Sequence, residues 1–437
     1  MKSRKLLVRI NRYLGTAIVG GIFYGVWVNV FSTKIIAPIF WKGNVLYLIL
    51  YLIIYCIVCE LYQGYDIGHR QLNEVIFANY LAIVLVNFLS FIISSLMARV
   101  ILNGWVFILM TIGQMVIILF WGIYANKMYY RIYGLKKLLF ITNDSQNDEK
   151  IRIKFMLNSD KFEAIDFIDG NIGSTKIIEL SKDYDGVILK NTEQESNGEL
   201  IRYFFEHDIR LYIYPDLSDI FIQNSEIIMV DDTPILYLRN HRNDIHIVKR
   251  CMDIIVALIG IVIAIPLMLI FSLLIVLEDG FPVIYTQNRI GQYGKLFRLY
   301  KLRSMIKNAD EIGEARTLKE DERVTKVGKV MRNLRIDELP QLFNVLIGNM
   351  SIVGPRPERP ELVEEYKKTL PEYDLRLKVK AGITGYAQVM GKYNTTPADK
   401  LRLDLIYIES YSIITDFKII LLTVKAIFTK QSTEGFD

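Results

Sequence analysis

Apolar residues fall first into four long runs, then into short alternating stretches, and finally into one more long run. The four runs lie at about 14–31, 45–62, 75–97 and 105–124. Each is near the ~20 residues with which an α-helix crosses a hydrocarbon core. Basic residues collect before the first run (Lys2, Arg4, Lys5, Arg9, Arg12) and after the fourth (Lys127, Arg131, Lys136, Lys137). The loops after the first and third runs carry few. This bias predicts a four-span helical bundle with both ends in the cytoplasm. No small-residue cleavage site follows the first run, so it reads as a retained anchor rather than a leader. Asn87 and Gln114 lie within runs and suit helix-to-helix bonds. No charge sits mid-span, which speaks against a transport pathway.

Beyond residue 134 the period changes. Stretches 138–142, 162–169, 186–190 and 210–216 read as strands, and 198–207 as a helix between two of them. Strands alternating with helices predict an α/β, Rossmann-like domain with a parallel sheet. A dinucleotide site would need a glycine-rich turn after the first strand. Here that turn is Asn143-Asp144-Ser145-Gln146, which excludes the fingerprint. A polar linker, 239–249, carries His241 and His246, which suit solvent better than a metal.

Residues 254–277 are apolar throughout. A straight span would place the next segment outside the cell, yet Arg289, Lys295, Arg298, Lys301 and Arg303 come directly after the run. Pro266 interrupts the helix ladder at mid-length. A bent, re-entrant helix that enters and leaves on one face satisfies both. Phe417, Ile420, Leu421, Val424 and Ile427 share one face of a last helix over 416–430, which suits a membrane interface or a core equally. The expected domains are therefore 1–134, 135–240 and 241–437.

Composition adds little. Hydrophobic residues at 52% beside charged residues at 23% suit membrane segments joined to soluble parts. A net charge of +5 does not call for nucleic acid. Cys56, Cys59 and Cys251 suit apolar thiols rather than a disulfide framework or a zinc site.

The candidate chemistry lies at 332–358. Asp337 is placed to cap a helix whose first turn holds Pro340 and whose apolar face is Leu339, Leu342, Phe343 and Leu346. A cap would keep the acid ionised, and such a carboxylate can act as a nucleophile. Glu338 suits Mg2+, which takes one or two carboxylates alongside substrate phosphates. Arg332, Arg335 and Arg356 offer planar forks for phosphate, and the rigid Pro355-Arg356-Pro357 closes the segment. Lys301 and Arg303 alternate in a strand, so both are expected on one side, facing a diphosphate or anionic headgroups. Alone, an Asp-Glu pair is usually a solvated cap; the surrounding basic and rigid residues change that.

The segments KRCMD (249–253), GFPVIYTQNRIG (280–291), FRLYKLRSM (297–305), DELPQ (337–341), GPRPE (354–358), GITGYAQV (382–389) and LDLIYI (403–408) stand in this order. From about 247 to 428 the chain resembles the monotopic phosphoglycosyl transferases, the bacterial sugar transferases that start capsule, exopolysaccharide and O-antigen synthesis. The resemblance implies a mainly α catalytic domain with a re-entrant membrane helix. It implies transfer of a sugar-1-phosphate from a UDP-sugar to undecaprenyl phosphate with release of UMP. Asp337 would form an aspartyl phosphosugar, Glu338 would hold Mg2+, and Lys301, Arg303, Arg332, Pro355, Arg356, Pro357 and Asp404 would contact substrate. Tyr407 belongs to the same motif. The implied setting is the bacterial cytoplasmic membrane, multi-pass, in contact with membrane lipid and with the catalytic domain on the cytoplasmic face. Residues 135–240 are similar to the degenerate nucleotide-binding-like domain of longer members, with a regulatory or oligomerising role; a homo-oligomer is one assembly this allows. Ile265 stands where the family often has Ser, and Ala381 where it usually has Pro. The rival reading is an inactive membrane scaffold or regulator, and the intact DELPQ and GPRPE segments count against it.

Overall fold

The computed structural model describes residues 2–35, 40–143, 162–190, 194–238, 246–309, 321–391 and 395–428. Asp144 to Gln146, most of the 239–249 linker with His241, Lys430, and the side chains of Lys2, Arg4, Lys5, Arg9, Arg12, His246 and Ile427 lie outside the description. The chain divides into two compact units, Met1–Pro215 and Asp216–Asp437.

The first unit opens with α1 (Lys2–Val26), α2 (Trp41–Leu61), α3 (Leu72–Ala98) and α4 (Gly104–Tyr133). All four are long and apolar enough to cross a membrane, as is Ile247–Asp279 in the second unit. Their polar residues join helices, as expected. Asn87 donates to Gln114 Oε1 at 2.7 Å and accepts from Tyr51 at 2.9 Å, while Gln114 donates to the Val19 carbonyl at 3.0 Å. One amide pair thereby links all four helices. Cys56 and Cys59 are free thiols.

A four-stranded sheet comes next, with β1 (Lys136–Thr142), β2 (Phe162–Asp169), β3 (Gly186–Lys190) and β4 (Arg210–Ile213) in the order β2-β1-β3-β4. Every pairing is parallel. Leu139 and Ile141 pack with Ile177, Leu200 and Phe204, while Leu138 and Phe140 pack with Ile188 and Phe167. Burial on both faces explains why β1 reads as a continuous apolar run rather than an alternating one.

In the second unit a short helix, Leu217–Gln223, places Ile220 in one core with Leu401, Leu405 and Tyr407. Packing of this unit thus begins within the stretch that strand–helix alternation assigned to the middle domain. The hairpin β5 (Glu226–Val230) and β6 (Thr233–Tyr237) leads to the long helix His246–Asp279, which continues as one element through Pro266. The antiparallel pair β7 (Ile284–Ile290) and β8 (Leu296–Leu302) leads into Lys326–Asn333, a 3-10 turn Ile336–Glu338 and the helix Gln341–Ile347. Strands β9 (Ser351–Val353) and β10 (Gly382–Thr384) pair in parallel, and the helices Pro397–Glu409 and Ile413–Phe428 complete the unit.

The β9–β10 pair sets the loop that carries Pro355-Arg356-Pro357. Gly354 donates to the Thr384 carbonyl and Gly382 to the Pro355 carbonyl, at 2.8 and 2.9 Å. A Cβ on Gly382 would lie 2.1 Å from Gly354 N and 2.4 Å from Thr384 O, both backbone atoms. Gly382→Ala is therefore expected to destabilise the fold by about 1–3 kcal/mol or more through forced backbone movement. A melting curve unchanged from wild type would show that the strands part without cost.

Candidate active site

Four connections bring the basic and acidic groups together. The carboxylate of Glu278, ending the long membrane-type helix, accepts from Lys326 N and Val327 N at 2.8 and 3.0 Å. It satisfies free N–H groups at the start of Lys326–Asn333, where an acid is favoured. Thr325 caps the same helix from Gly328 N. Arg335 then takes a left-handed conformation, φ 55°, which turns the chain into the 3-10 turn bearing Asp337 and Glu338. Asn344, fully buried, accepts from Tyr300 N and donates to the Arg298 carbonyl, pinning Gln341–Ile347 against β8.

The two adjacent acids sit in opposite electrostatic situations. Both are buried, Asp337 at 7% and Glu338 at 8% exposure. Glu338 Oε1 accepts from Arg356 at 2.8 Å and Lys301 at 3.1 Å, and Oε2 lies 3.7 Å from Arg335. Burial alone would raise the Glu338 pKa, but Arg356, Lys301 and Arg335 hold it well below the usual carboxylate range. Asp337 has no hydrogen bond or ion pair within 4 Å among the described residues. Burial pushes its pKa up, Lys301 and the arginines oppose this, and the Glu338 charge adds to it.

This corrects one expectation. Asp337 does not cap a helix: the cap position of Gln341–Ile347 is Pro340, and no side-chain cap bond is made there. The backbone N–H groups that would have stabilised its charge are absent from it, so desolvation prevails.

The cations distribute less evenly than alternation suggested. Lys301 reaches Glu338, and burial lowers its pKa against the pull of that acid. Strand β8 ends at Leu302, and Arg303 leaves the strand's register. Its guanidinium goes to Asp279 Oδ2 at 3.2 Å and to the Asp279 and Gly280 carbonyls, not to the acid pair. Arg332 donates to Ser304 Oγ at 2.9 Å and acts on Asp337 through charge rather than contact. Arg356 projects from between Pro355 and Pro357 with 41% of its side chain exposed, which leaves donors free for an incoming anion. Asp404 is 1% exposed and its carboxylate accepts from Arg376, so it reaches the site only through that residue. Tyr407 donates to Asp416 and the Val353 carbonyl, away from the acids.

Beside Glu338 lies a cavity of about 210 Å³. Leu334, Leu339, Leu342, Ile383 and Val389 give it a mostly apolar wall, with Arg335 and Glu338 as charged members. Sequence reasoning missed Arg376 and gave Arg289 no role at the site. Arg289 donates to the Pro357 carbonyl at 3.1 Å, and burial lowers its pKa to about 10, with Arg356 adding to the effect.

The family model described as bacterial sugar transferase matches residues 245–430. Over 130 residues the chain is 54% identical to a putative undecaprenyl-phosphate N-acetylgalactosaminyl 1-phosphate transferase of Bacillus subtilis, covering 30% of this chain and 73% of that protein. The chain belongs to the bacterial sugar transferase family. It is also 45% identical over 185 residues to the UDP-N-acetylgalactosamine-undecaprenyl-phosphate N-acetylgalactosaminephosphotransferase of Aeromonas hydrophila, covering 42% of this chain and 44% of that one. With the UDP-glucose:undecaprenyl-phosphate glucose-1-phosphate transferase of Klebsiella pneumoniae it shares 40% identity over 231 residues, 51% of this chain and 49% of that protein. The match thus spans about half the length of these last two relatives. The acid pair, Lys301, Arg356 and the apolar cavity all lie inside the family match.

Proposed function

We propose that this chain transfers a sugar-1-phosphate from a UDP-sugar to undecaprenyl phosphate, releasing UMP, through a covalent aspartyl phosphosugar. The observation that carries this reading is the contrast between a buried Asp337, unpartnered among the described residues, and a neighbouring Glu338 gripped by three cations. An unpartnered carboxylate has its lone pairs available for attack, and the surrounding positive charge suits a diphosphate. A carboxylate oxygen of Asp337 attacks the sugar-bearing phosphorus. The bond from that phosphorus to the bridging oxygen breaks, and UMP leaves with the oxygen. An oxygen of the lipid phosphate then attacks the same phosphorus, breaking its bond to Asp337 and regenerating the carboxylate. Arg356 and Lys301 hold phosphate oxygens in both steps, with Arg332 contributing charge; such transfers depend mainly on placement and electrostatics. The apolar cavity beside Glu338 suits the first isoprene units of a lipid acceptor.

Among the described residues no three His, Cys, Asp or Glu side chains cluster as a metal cage. Asp337 and Glu338 nonetheless offer the one or two carboxylates that Mg2+ takes when substrate phosphates complete its shell. Glu338 would hold the ion, which would offset negative charge on the diphosphate.

In this reading α1 to α4 span the cytoplasmic membrane of a bacterium, the parallel sheet β1 to β4 belongs to a Rossmann-like domain without a dinucleotide site, and the second unit works on the cytoplasmic face. The long helix with Pro266 is re-entrant. The product would start a capsule, exopolysaccharide or O-antigen. UMP release by the full chain in nanodiscs, with undecaprenyl phosphate and a panel of UDP-sugars, tests the reading; no UMP from any of them would overturn it.

A raised Asp337 pKa also fixes a pH dependence. The group stays protonated at pH values where a free aspartate, near 3.9, is ionised, so the nucleophile is lost as pH falls through the raised value. The acid limb of kcat/KM for UMP release is expected above the ordinary aspartate range. A limb at or below it would show that Asp337 is not desolvated in the working enzyme.

A further inference from the structure

The loop from Gly354 to Glu358 presents Arg356 to Glu338, and its two prolines have no N–H to anchor it. Its carbonyls do that work. The Pro355 carbonyl accepts from Gly382 N, the Pro357 carbonyl from Arg289, and the Glu358 carbonyl from Ile290 N at 3.1 Å. The carbonyl of Arg356 itself accepts from Arg376 Nη2 at 3.0 Å.

Arg376 is 4% exposed and all three of its nitrogens are committed. Nε and Nη2 lie 2.9 and 2.7 Å from Asp404 Oδ2, and Nη1 donates to Tyr373 Oη at 2.7 Å. Asp404 comes from the helix Pro397–Glu409 and Tyr373 from the 3-10 segment Pro371–Lys378. One guanidinium thereby ties two separate elements to the backbone of the residue whose side chain holds Glu338. A planar fork with fixed donors can impose such a geometry, whereas a single ammonium cannot.

We infer that Arg376, oriented by Asp404, is a positioning residue for the phosphate-holding Arg356 and touches no substrate itself. This rests on the role given to Arg356 above. It assigns Asp404 a place behind the loop instead of the substrate contact expected from sequence. Small displacements of a positioned group cost rate out of proportion to their size, about 10²-fold for ~1 Å.

The test is a double-mutant cycle on the full chain in nanodiscs, with Arg376→Gln, Arg356→Ala and the double variant. For each, kcat and KM for UMP release, the amplitude of phosphosugar adduct and the melting temperature are measured. Arg376→Gln is expected to lower kcat on the order of 10–100-fold with little change in adduct amplitude per folded molecule. In the Arg356→Ala background the same change is expected to cost less than about threefold, because the residue it positions is gone. Losses that multiply in the double variant would overturn the inference and leave Arg376 a general structural residue. An unchanged kcat in Arg376→Gln would overturn it too. If Arg376→Gln does not fold, Asp404→Asn, which keeps the side-chain shape, is taken through the same cycle: a loss that shrinks in the Arg356→Ala background supports the inference, and a loss that multiplies overturns it. Wild-type activity in Arg356→Ala alone would instead defeat the underlying role of Arg356, and the inference with it.

Discussion

Replacing Asp337 with Asn is expected to lower UMP release by at least ~10³-fold while leaving the protein no less stable than wild type. The first effect arises because the amide cannot form the phosphoester. The second arises from its surroundings. Asp337 is buried, makes no hydrogen bond among the described residues, and has its pKa raised chiefly by burial. A raised carboxyl pKa means that the folded chain binds its proton more tightly than the unfolded chain. Stability attributable to this group is then present at low pH and lost as pH rises through the folded value. At neutral pH the ionised side chain is a cost to the fold, and a neutral isostere removes it. Asp337→Ala guards against slow deamidation of the Asn variant. Near-normal UMP release in either would end the nucleophile assignment. A large fall in melting temperature would show that the acid has a stabilising partner.

The neighbouring position is expected to behave in the opposite way. Glu338 accepts from Arg356 and Lys301 and faces Arg335, and its pKa lies well below the ordinary range despite burial. A lowered pKa makes its stabilising contribution available at neutral pH and loses it only on strong acidification. Glu338→Gln leaves Lys301 largely buried without its counter-charge, and breaking a buried pair in this way costs about 3–5 kcal/mol. Both activity and melting temperature should fall. The two adjacent isosteric substitutions thus separate chemistry from scaffold: one removes activity from an intact fold, the other weakens both. A Glu338→Gln protein that melts like wild type would mean that the three cations are neutralised by something else.

Much of this arrangement is legible in the order of residues alone. The long helices show themselves through uninterrupted apolar runs, and β1 to β3 through short apolar stretches bounded by polar turns. Asp337, Glu338 and Arg356 stand out because they are near in sequence and of the types that phosphate chemistry uses. The hidden features depend on conformations without a period. The left-handed Arg335 and the 3-10 turn deprive Asp337 of a helix cap, and no spacing announces either. Arg303 departs because β8 stops one residue earlier, after which side-chain alternation no longer holds. Asp404 and Arg376 lie 28 residues apart and meet only through tertiary packing. Arg376 sits in an eight-residue 3-10 segment whose polar and apolar residues mark no face clearly.

The most direct measurement is the mass of the intact chain after incubation with a turned-over UDP-sugar and no lipid acceptor, with acid quench and peptide mapping. The expected result is an added sugar phosphate on the peptide containing Asp337, formed with a stoichiometric burst of UMP, discharged by undecaprenyl phosphate and missing from Asp337→Ala. UMP formed catalytically without any such adduct, or an adduct that persists in Asp337→Ala, would contradict a covalent intermediate at Asp337.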